Sequence, residues 1–369
     1  MDKTSRIYLA GHAGLVGSAI KRRLENNGYR NIIVRTLAQL DLTNQESVNR
    51  FFEEEKPEYV FLAAALVGGI VANNTYRADF IYHNLMIQNN VIYAAWKSNV
   101  KKLLFLGSTC IYPKDAPQPL KEESLLTSPL EYTNEPYAVA KIAGLKMCES
   151  FNIQYGTNFI AVMPTNLYGP GDNFDLQKSH VLPALMRKIY LGKCLETNDW
   201  EGIRKDLDRY PVGKTSGKSD KTEILQVLAS YGVSDQNGDG TGQVSVNVWG
   251  TGTPLREFMY SEDMADACIY IMEKTDVQDI INMDPKTRQP GYKAPHFLNI
   301  GTSEEVTISD LAGKLKKLIG FRGNVVFDTT KPDGTMRKVT DTSRLKSLGY
   351  RFKYNLDEGL KENFKAYLK

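Results

Sequence analysis

The stretch Arg6-Ile7-Tyr8-Leu9-Ala10-Gly11-His12-Ala13-Gly14-Leu15-Val16-Gly17 decides the fold. Residues 6–10 have strand character and run without a break into a G-x-x-G-x-x-G turn. Val16, Ile20 and Leu24 then fall on one face of a helix expected over 15–26. Glycines at a strand-to-helix junction permit a tight turn and let backbone approach a pyrophosphate, whose charge then meets the positive end of the helix. A glycine-rich turn that binds nothing has the same composition. Position at the first βα junction favours the dinucleotide reading, with Gly11, His12, Ala13, Gly14, Leu15, Val16 and Gly17 as its cradle.

Working outward, the alternation continues. Strands are expected at 31–34, 59–65, 102–107 and 159–163, and helices at 45–56, 78–98 and 136–155, with Thr43-Asn44-Gln45-Glu46 as a capping box. The nearly unbroken apolar run at 59–65 suits a parallel strand covered on both faces. Repeated βα units imply an α/β fold, a doubly wound parallel sheet of Rossmann type. After Pro170 the rhythm breaks. A helix is expected at 181–191. Residues 195–243 then read as a polar insertion with one short helix near 223–230. Within it Asp235-Gln236-Asn237-Gly238-Asp239-Gly240 starts like a calcium loop. Val246 stands where the twelfth-position Glu belongs, so an Asx/Gly turn is the better reading and no metal is expected. A strand at 246–249, a helix capped by Ser261 through 273, a strand at 297–301, and helices at 307–319 and 356–368 complete the chain. The expected division is a dinucleotide-binding domain, 1–170 with a return at about 258–303, and a smaller C-terminal α/β domain from 171–257 and 304–369.

The 369 residues are 42% hydrophobic and 24% charged, with 46 Lys+Arg against 43 Asp+Glu, so no clustered basic face calls for nucleic acid or a membrane surface. No apolar run spans a bilayer and no apolar signal core precedes the first strand. The four cysteines, Cys110, Cys148, Cys194 and Cys268, lack metal or disulfide spacing, which fits a reduced, cytoplasmic protein.

Arg35 lies 18 residues beyond Gly17, where an acid would hold the ribose hydroxyls of NAD. A cation there meets a 2′-phosphate, or is simply a solvated surface arginine. Asp41 and Leu42 suit the loop that touches adenine, although Asp41 also reads as an ordinary turn residue. Tyr137-x-x-x-Lys141 puts phenol and amine one helical turn apart, and a lysine cation beside a phenol is expected to favour phenolate. The pairs Tyr93/Lys97, Tyr210/Lys214 and Tyr270/Lys274 have the same spacing. Only Tyr137 follows a strand ending in Gly107-Ser108-Thr109, where a hydroxyl can bind the same carbonyl oxygen.

Gly11 to Gly17, Ser108-Thr109-Cys110-Ile111-Tyr112-Pro113, residues 134–141 and Met163-Pro164-Thr165-Asn166-Leu167-Tyr168-Gly169-Pro170 resemble the extended short-chain dehydrogenase/reductase superfamily. Residues 67–74, 179–185, 249–258 and 331–335 narrow the resemblance to the GDP-L-fucose synthase family, over nearly the whole chain outside the insertion. The resemblance implies an NADPH-dependent enzyme that epimerises C3 and C5 of GDP-4-keto-6-deoxy-D-mannose and then reduces C4. It implies a reductive triad of Ser108, Tyr137 and Lys141, with Cys110 and His180 as epimerisation base and acid. Leu106, Gly107, Ser108, Thr109, Lys141, Pro164, Thr165, Asn166, Leu167 and His180 would contact the cofactor. Asn166, Lys188, Trp249, Arg256, Asp333 and Lys338 would face the GDP-sugar.

Chemistry supports these roles: a 4-ketone acidifies the C3 and C5 protons, which a thiolate and an imidazole can exchange. Arg256 can fork onto a diphosphate, or form a structural salt bridge with Glu257 or Asp263. Ala13 and Leu37 stand where relatives carry cations, so NADP is implied while NAD use stays open. Lys188 replaces the usual arginine and loses its planar fork. A 4,6-dehydratase would carry an Asp-Glu pair where Thr109-Cys110 stand, and a dinucleotide sensor would have lost Tyr137/Lys141. A homodimer is expected, the helices near 78–98 and 136–155 meeting their symmetry mates, with Ile81, Leu85 and Ile92 among the apolar contributors.

Overall fold

The computed structural model describes residues 1–237, 242–331 and 333–369. In chain order the first elements are β1 (Ile7–Ala10), α1 (Leu15–Asn26), β2 (Ile32–Ile33), α2 (Gln45–Glu55), β3 (Tyr59–Leu62), α3 (Ile70–Thr75), α4 (Arg77–Lys97), β4 (Lys102–Leu106), α5 (Glu135–Tyr155), β5 (Phe159–Pro164) and β6 (Asn166–Tyr168). Next come α6 (Val181–Glu196), α7 (Trp200–Arg209), α8 (Lys221–Ser230), β7 (Val233–Asp235), β8 (Val244–Trp249), β9 (Leu255–Arg256), β10 (Phe258–Tyr260), α9 (Ser261–Lys274) and α10 (Val277–Asn282). The last are β11 (Phe297–Ile300), β12 (Val306–Thr307), α11 (Ile308–Ile319), β13 (Asn324–Asp328), β14 (Arg337–Lys338), α12 (Ser343–Ser347) and α13 (Leu356–Leu368).

The chain divides into two units. The first comprises 1–171, 257–304 and 338–359, and the second 172–256, 305–337 and 360–369. Residues 338–359, assigned from the sequence to the C-terminal domain, therefore group with the dinucleotide-binding unit. The first unit holds a six-stranded sheet in the order β11-β5-β4-β3-β1-β2, every pairing parallel. The order reverses between β1 and β3, the switch point beside which ligands bind in such sheets.

Side chains alternate across this sheet with period two. Tyr8, Val60, Leu62, Leu103, Phe105, Phe159 and Ala161 enter one core, with residues of α2, α4 and α5. Ile7, Leu9, Phe61, Leu104, Leu106, Ile160 and Val162 enter the other, with residues of α1 and α9. Both faces are covered, which is why the strands read as continuous apolar runs. Ile92 is fully buried in the first core and offers nothing to a symmetry mate; Ile81 and Leu85 are half-buried.

Two caps differ from expectation. Asn44, not Thr43, caps α2, its side chain accepting from Ser47 N, while the Thr43 hydroxyl donates to Asp41. Ser261 is the first residue of α9 and makes no cap; its buried hydroxyl lies where Gly169 leaves room.

In the second unit β8 pairs parallel with β13 and antiparallel with β7. The segment expected to be one short helix contains two, α7 and α8, plus β7. A fully buried guanidinium holds it. Arg187 on α6 donates through Nε to Asp206 on α7 at 2.9 Å, and through Nη1 and Nη2 to the Phe174 and Tyr210 carbonyls. Asp206 also accepts from the Tyr367 hydroxyl. Residues 238–241 of the calcium-like turn lie outside the described residues. Among the described residues no helix is long and apolar enough to cross a membrane, and no group of His, Cys, Asp and Glu is placed to hold a metal.

Candidate active site

The dinucleotide cradle is built by steric exclusion. Gly11 leaves β1 at φ +84°, a conformation glycine adopts freely, and a Cβ there would stand 2.6 Å from the Ala64 nitrogen. A Cβ on Gly17 would fall 2.1 Å from the Gly11 carbonyl oxygen. Gly14 is the N-cap of α1 and provides no side-chain cap, so the first-turn amides are left for an anionic ligand. No acid occupies that turn. These features fit a dinucleotide pyrophosphate.

Toward the expected adenosine end, Arg35 is not a free cation. It pairs with Glu55 at 2.5 Å, donates to the Val34 carbonyl and lies 5.5 Å from the Phe51 ring centre. Asp41 is exposed, and hydrogen bonds from the Thr43 hydroxyl and amide hold its carboxyl below the usual range. Leu42 points into the first core and its carbonyl accepts from Asn90. Its side chain is therefore part of the core and does not line an open face.

The chemistry-bearing cluster forms where β4 ends and α5 begins. Ser108 Oγ accepts from Cys110 N at 3.2 Å and shares a hydrogen bond with Tyr137. The Tyr137 ring meets Phe80 edge-on. Burial, with Cys110 nearby, pushes the phenol well above its ordinary value, and the Ser108 hydrogen bond pulls only partly back. Lys141 does not lower it as the sequence suggested. Its ammonium lies 5.8 Å from the Tyr137 ring centre and donates to the Leu106 carbonyl at 2.8 Å. Burial pulls the Lys141 amine itself down to about 7. Cys110 is half-buried, whereas Cys148, Cys194 and Cys268 are buried. A partner for Cys110 that sequence reading missed is Lys338, whose Nζ reaches its sulfur at 3.8 Å.

Gly107 passes so close to Met163 that a Cβ would overlap its thioether. The Pro164–Leu167 segment leaves β5 held by the Glu257 backbone: Asn166 Nδ2 donates to the Glu257 carbonyl at 2.9 Å and Thr165 Oγ1 at 3.5 Å. Thr109 is buried. Glu257, read from the sequence only as a candidate salt-bridge partner of Arg256, is engaged elsewhere. It is fully buried, and its carboxylate accepts from Ser303 N, Thr340 N and Thr340 Oγ1. Asp263 accepts from the Lys353 and Tyr354 amides.

In the second unit His180 is the N-cap residue of α6 and is exposed. Two turns on, Lys188 donates to the Asn247 carbonyl at 3.4 Å, and burial lowers its amine. Trp249 ends β8 with its ring 64% exposed and Lys331 5.7 Å from its centre. Arg256 is lowered by burial, opposed by the charge of Asp333. Asp333 accepts from Thr251 N and Oγ1 at 2.9 and 2.8 Å, tying down the 249–253 turn. Lys188, Trp249, Arg256 and Asp333 thus gather around the C-terminal ends of two short strands, a cationic and aromatic set suited to a nucleotide diphosphate.

The parallel sheet, the glycine cradle and the Ser108/Tyr137/Lys141 cluster define a nicotinamide-dependent short-chain enzyme of the extended type. The chain belongs to the NAD dependent epimerase/dehydratase family, whose model matches residues 7–206 and 214–283. It is 46% identical to GDP-L-fucose synthase 1 of Arabidopsis thaliana, covering 100% of this chain and 94% of the relative. Identity to the GDP-L-fucose synthase of Escherichia coli (strain K12) is 44%, covering 98% and 96%. Among solved structures, a GDP-D-glycero-L-gluco-heptose synthase from Campylobacter jejuni, determined in the presence of NADPH, superposes with TM-score 0.88 at 43% identity, covering 100% and 99%.

Proposed function

We propose that the chain converts GDP-4-keto-6-deoxy-D-mannose to GDP-L-fucose, by 3,5-epimerisation followed by NADPH-dependent reduction at C4. The observation that carries this reading is that Cys110 and Ser108 share one turn, with Tyr137 bonded to Ser108. A candidate carbon base beside a candidate carbonyl proton donor is what supports the two half-reactions. In the reductive step Ser108 and Tyr137 hydrogen-bond the C4 oxygen and Tyr137 gives it a proton. Bound NADPH supplies the hydride. The buried Lys141 orients the pocket through Leu106 and presents its amine to the cofactor's ribose side. In the epimerising step Cys110 takes the C3 or C5 proton and His180 returns one. Lys188, Trp249, Arg256 and Asp333 hold the GDP moiety, and Arg35 faces the 2′-phosphate. Incubation with GDP-4-keto-6-deoxy-D-mannose and NADPH, with identification of the sugar, tests this: GDP-L-fucose is expected. Reduction with C3 and C5 unchanged would remove the epimerase half.

A second reading is that the sugar accepted is a heptose. The likeness to the Campylobacter jejuni heptose enzyme over the full length favours it. The same assay with the corresponding GDP-4-keto-heptose decides by the ratio of kcat/KM values.

A further inference from the structure

Lys338, expected from the sequence to face the GDP-sugar, has its ammonium 3.8 Å from the Cys110 sulfur. The placement is fixed from its own neighbours. Val339 is buried, its amide donates to Gln118 Oε1 at 3.0 Å, and its carbonyl accepts from Leu120 N at 2.8 Å. The next residue, Thr340, is gripped through both amide and hydroxyl by the buried carboxylate of Glu257. With the following backbone held twice over, Lys338 has little freedom to swing away from the turn that carries Cys110. All of these groups lie in the first unit.

We propose that Lys338 is the positioning residue of Cys110: its ammonium holds the sulfur in place and balances its charge while the sulfur acts as the carbon base. The proposal rests on the reading of Cys110 as that base. In the step it serves, the substrate C–H bond breaks and an S–H bond forms. The electron pair left on carbon moves into the carbonyl system and appears as an enolate on the C4 oxygen. Lys338 keeps its three protons throughout, and the new S–H exchanges its proton with solvent between turnovers. A cation beside a thiol favours the anionic sulfur, which is the nucleophilic and basic form. Tyr137 also faces Cys110, and a charge on the sulfur opposes ionisation of that phenol. Lys338 therefore serves both half-reactions, since with the sulfur's charge balanced the Tyr137 phenol gives up its proton to the C4 oxygen more readily. Ser108 faces the same sulfur's backbone and carries no charge.

Alkylation of Cys110 by iodoacetamide, followed by peptide mass spectrometry from pH 6 to 9, tests this without any substrate. The three other cysteines are buried and report whether the fold is intact. Lys338→Met should slow Cys110 labelling about three- to tenfold at pH 7, because the contact that holds the sulfur is gone; Lys338→Arg should restore most of the rate. Labelling of Lys338→Met at the wild-type rate across this range, with the buried cysteines still protected, overturns the proposal. Solvent-deuterium incorporation into GDP-4-keto-6-deoxy-D-mannose is measured on the same proteins. Wild-type enzyme that labels as expected but exchanges no deuterium would remove the base assignment and leave the Lys338–Cys110 pairing standing.

Discussion

Lys141 in the first unit is 3% exposed and bonded to a strand-end carbonyl, while Trp249 in the second is 64% exposed at the end of a short strand. The contrast extends to their neighbours. Tyr137 and Lys141 both have ionisation displaced chiefly by burial. The second unit's set is held by a few hydrogen bonds to one turn and one carbonyl. Burial is what sets a proton donor's readiness, and a diphosphate needs only charge and an open face. Substitutions in the buried Ser108/Tyr137/Lys141 cluster should therefore act on the chemical steps, and those at Lys188, Trp249, Arg256 and Asp333 on binding.

The largest expected effect is on Tyr137→Phe. NADPH oxidation should fall by about 10²–10⁴, while deuterium exchange into the sugar continues. Retained oxidation would show that the buried cluster is not the reductive site and dissolve the contrast. Next is Lys141→Met. Its amine titrates near 7 when folded against 10.5 as a free side chain. Below pH 7 it is charged in both states and the folded chain bears the full cost of burying that charge. Between 7 and 10.5 the cost fades as the folded amine goes neutral first. Lys141→Met should therefore lose reduction yet stabilise the protein by roughly 3 kcal/mol at pH 6, a gain that shrinks as pH rises toward 10. Urea melts at pH 6 and 9 measure the difference; equal gains at both would show that no buried charge was relieved.

In the second unit Arg256→Met should raise KM for the GDP-sugar about 10- to 100-fold with kcat within a few-fold. A collapse of kcat instead would move Arg256 into the chemistry. The smallest effect is at Arg35, already engaged with Glu55. Arg35→Ala should weaken NADPH relative to NADH by about 1 kcal/mol, and Glu55→Gln should strengthen NADPH slightly, both read by titration of cofactor fluorescence. Parallel losses for both cofactors would make Arg35 purely structural.

The doubly wound sheet was legible because β1, β3, β4 and β5 are covered on both faces and read as unbroken apolar runs. The glycine cradle was legible because its spacing is local. Helix α7 was not, because its buried face is only Ile203, Asp206 and Leu207, and one of those is a carboxylate. An acid buried by pairing with an arginine 19 residues away looks like surface when read alone. Lys338 beside Cys110 and Glu257 around Thr340 escaped for a related reason: those contacts span 228 and 83 residues and follow no period. The direction of the Tyr137 shift was misread because spacing places a lysine near a phenol but says nothing of how deeply both are buried.

Arg187 and Asp206 constrain how this chain can change its length. An arginine with no exposure loses its carboxylate and the Tyr210 carbonyl together if 200–230 is deleted, and removing one side of a buried ion pair is destabilising by about 3–5 kcal/mol. Exchange of both partners for apolar residues of similar volume is close to neutral. Deletion of 200–230 should therefore be better tolerated when Arg187→Met is made first.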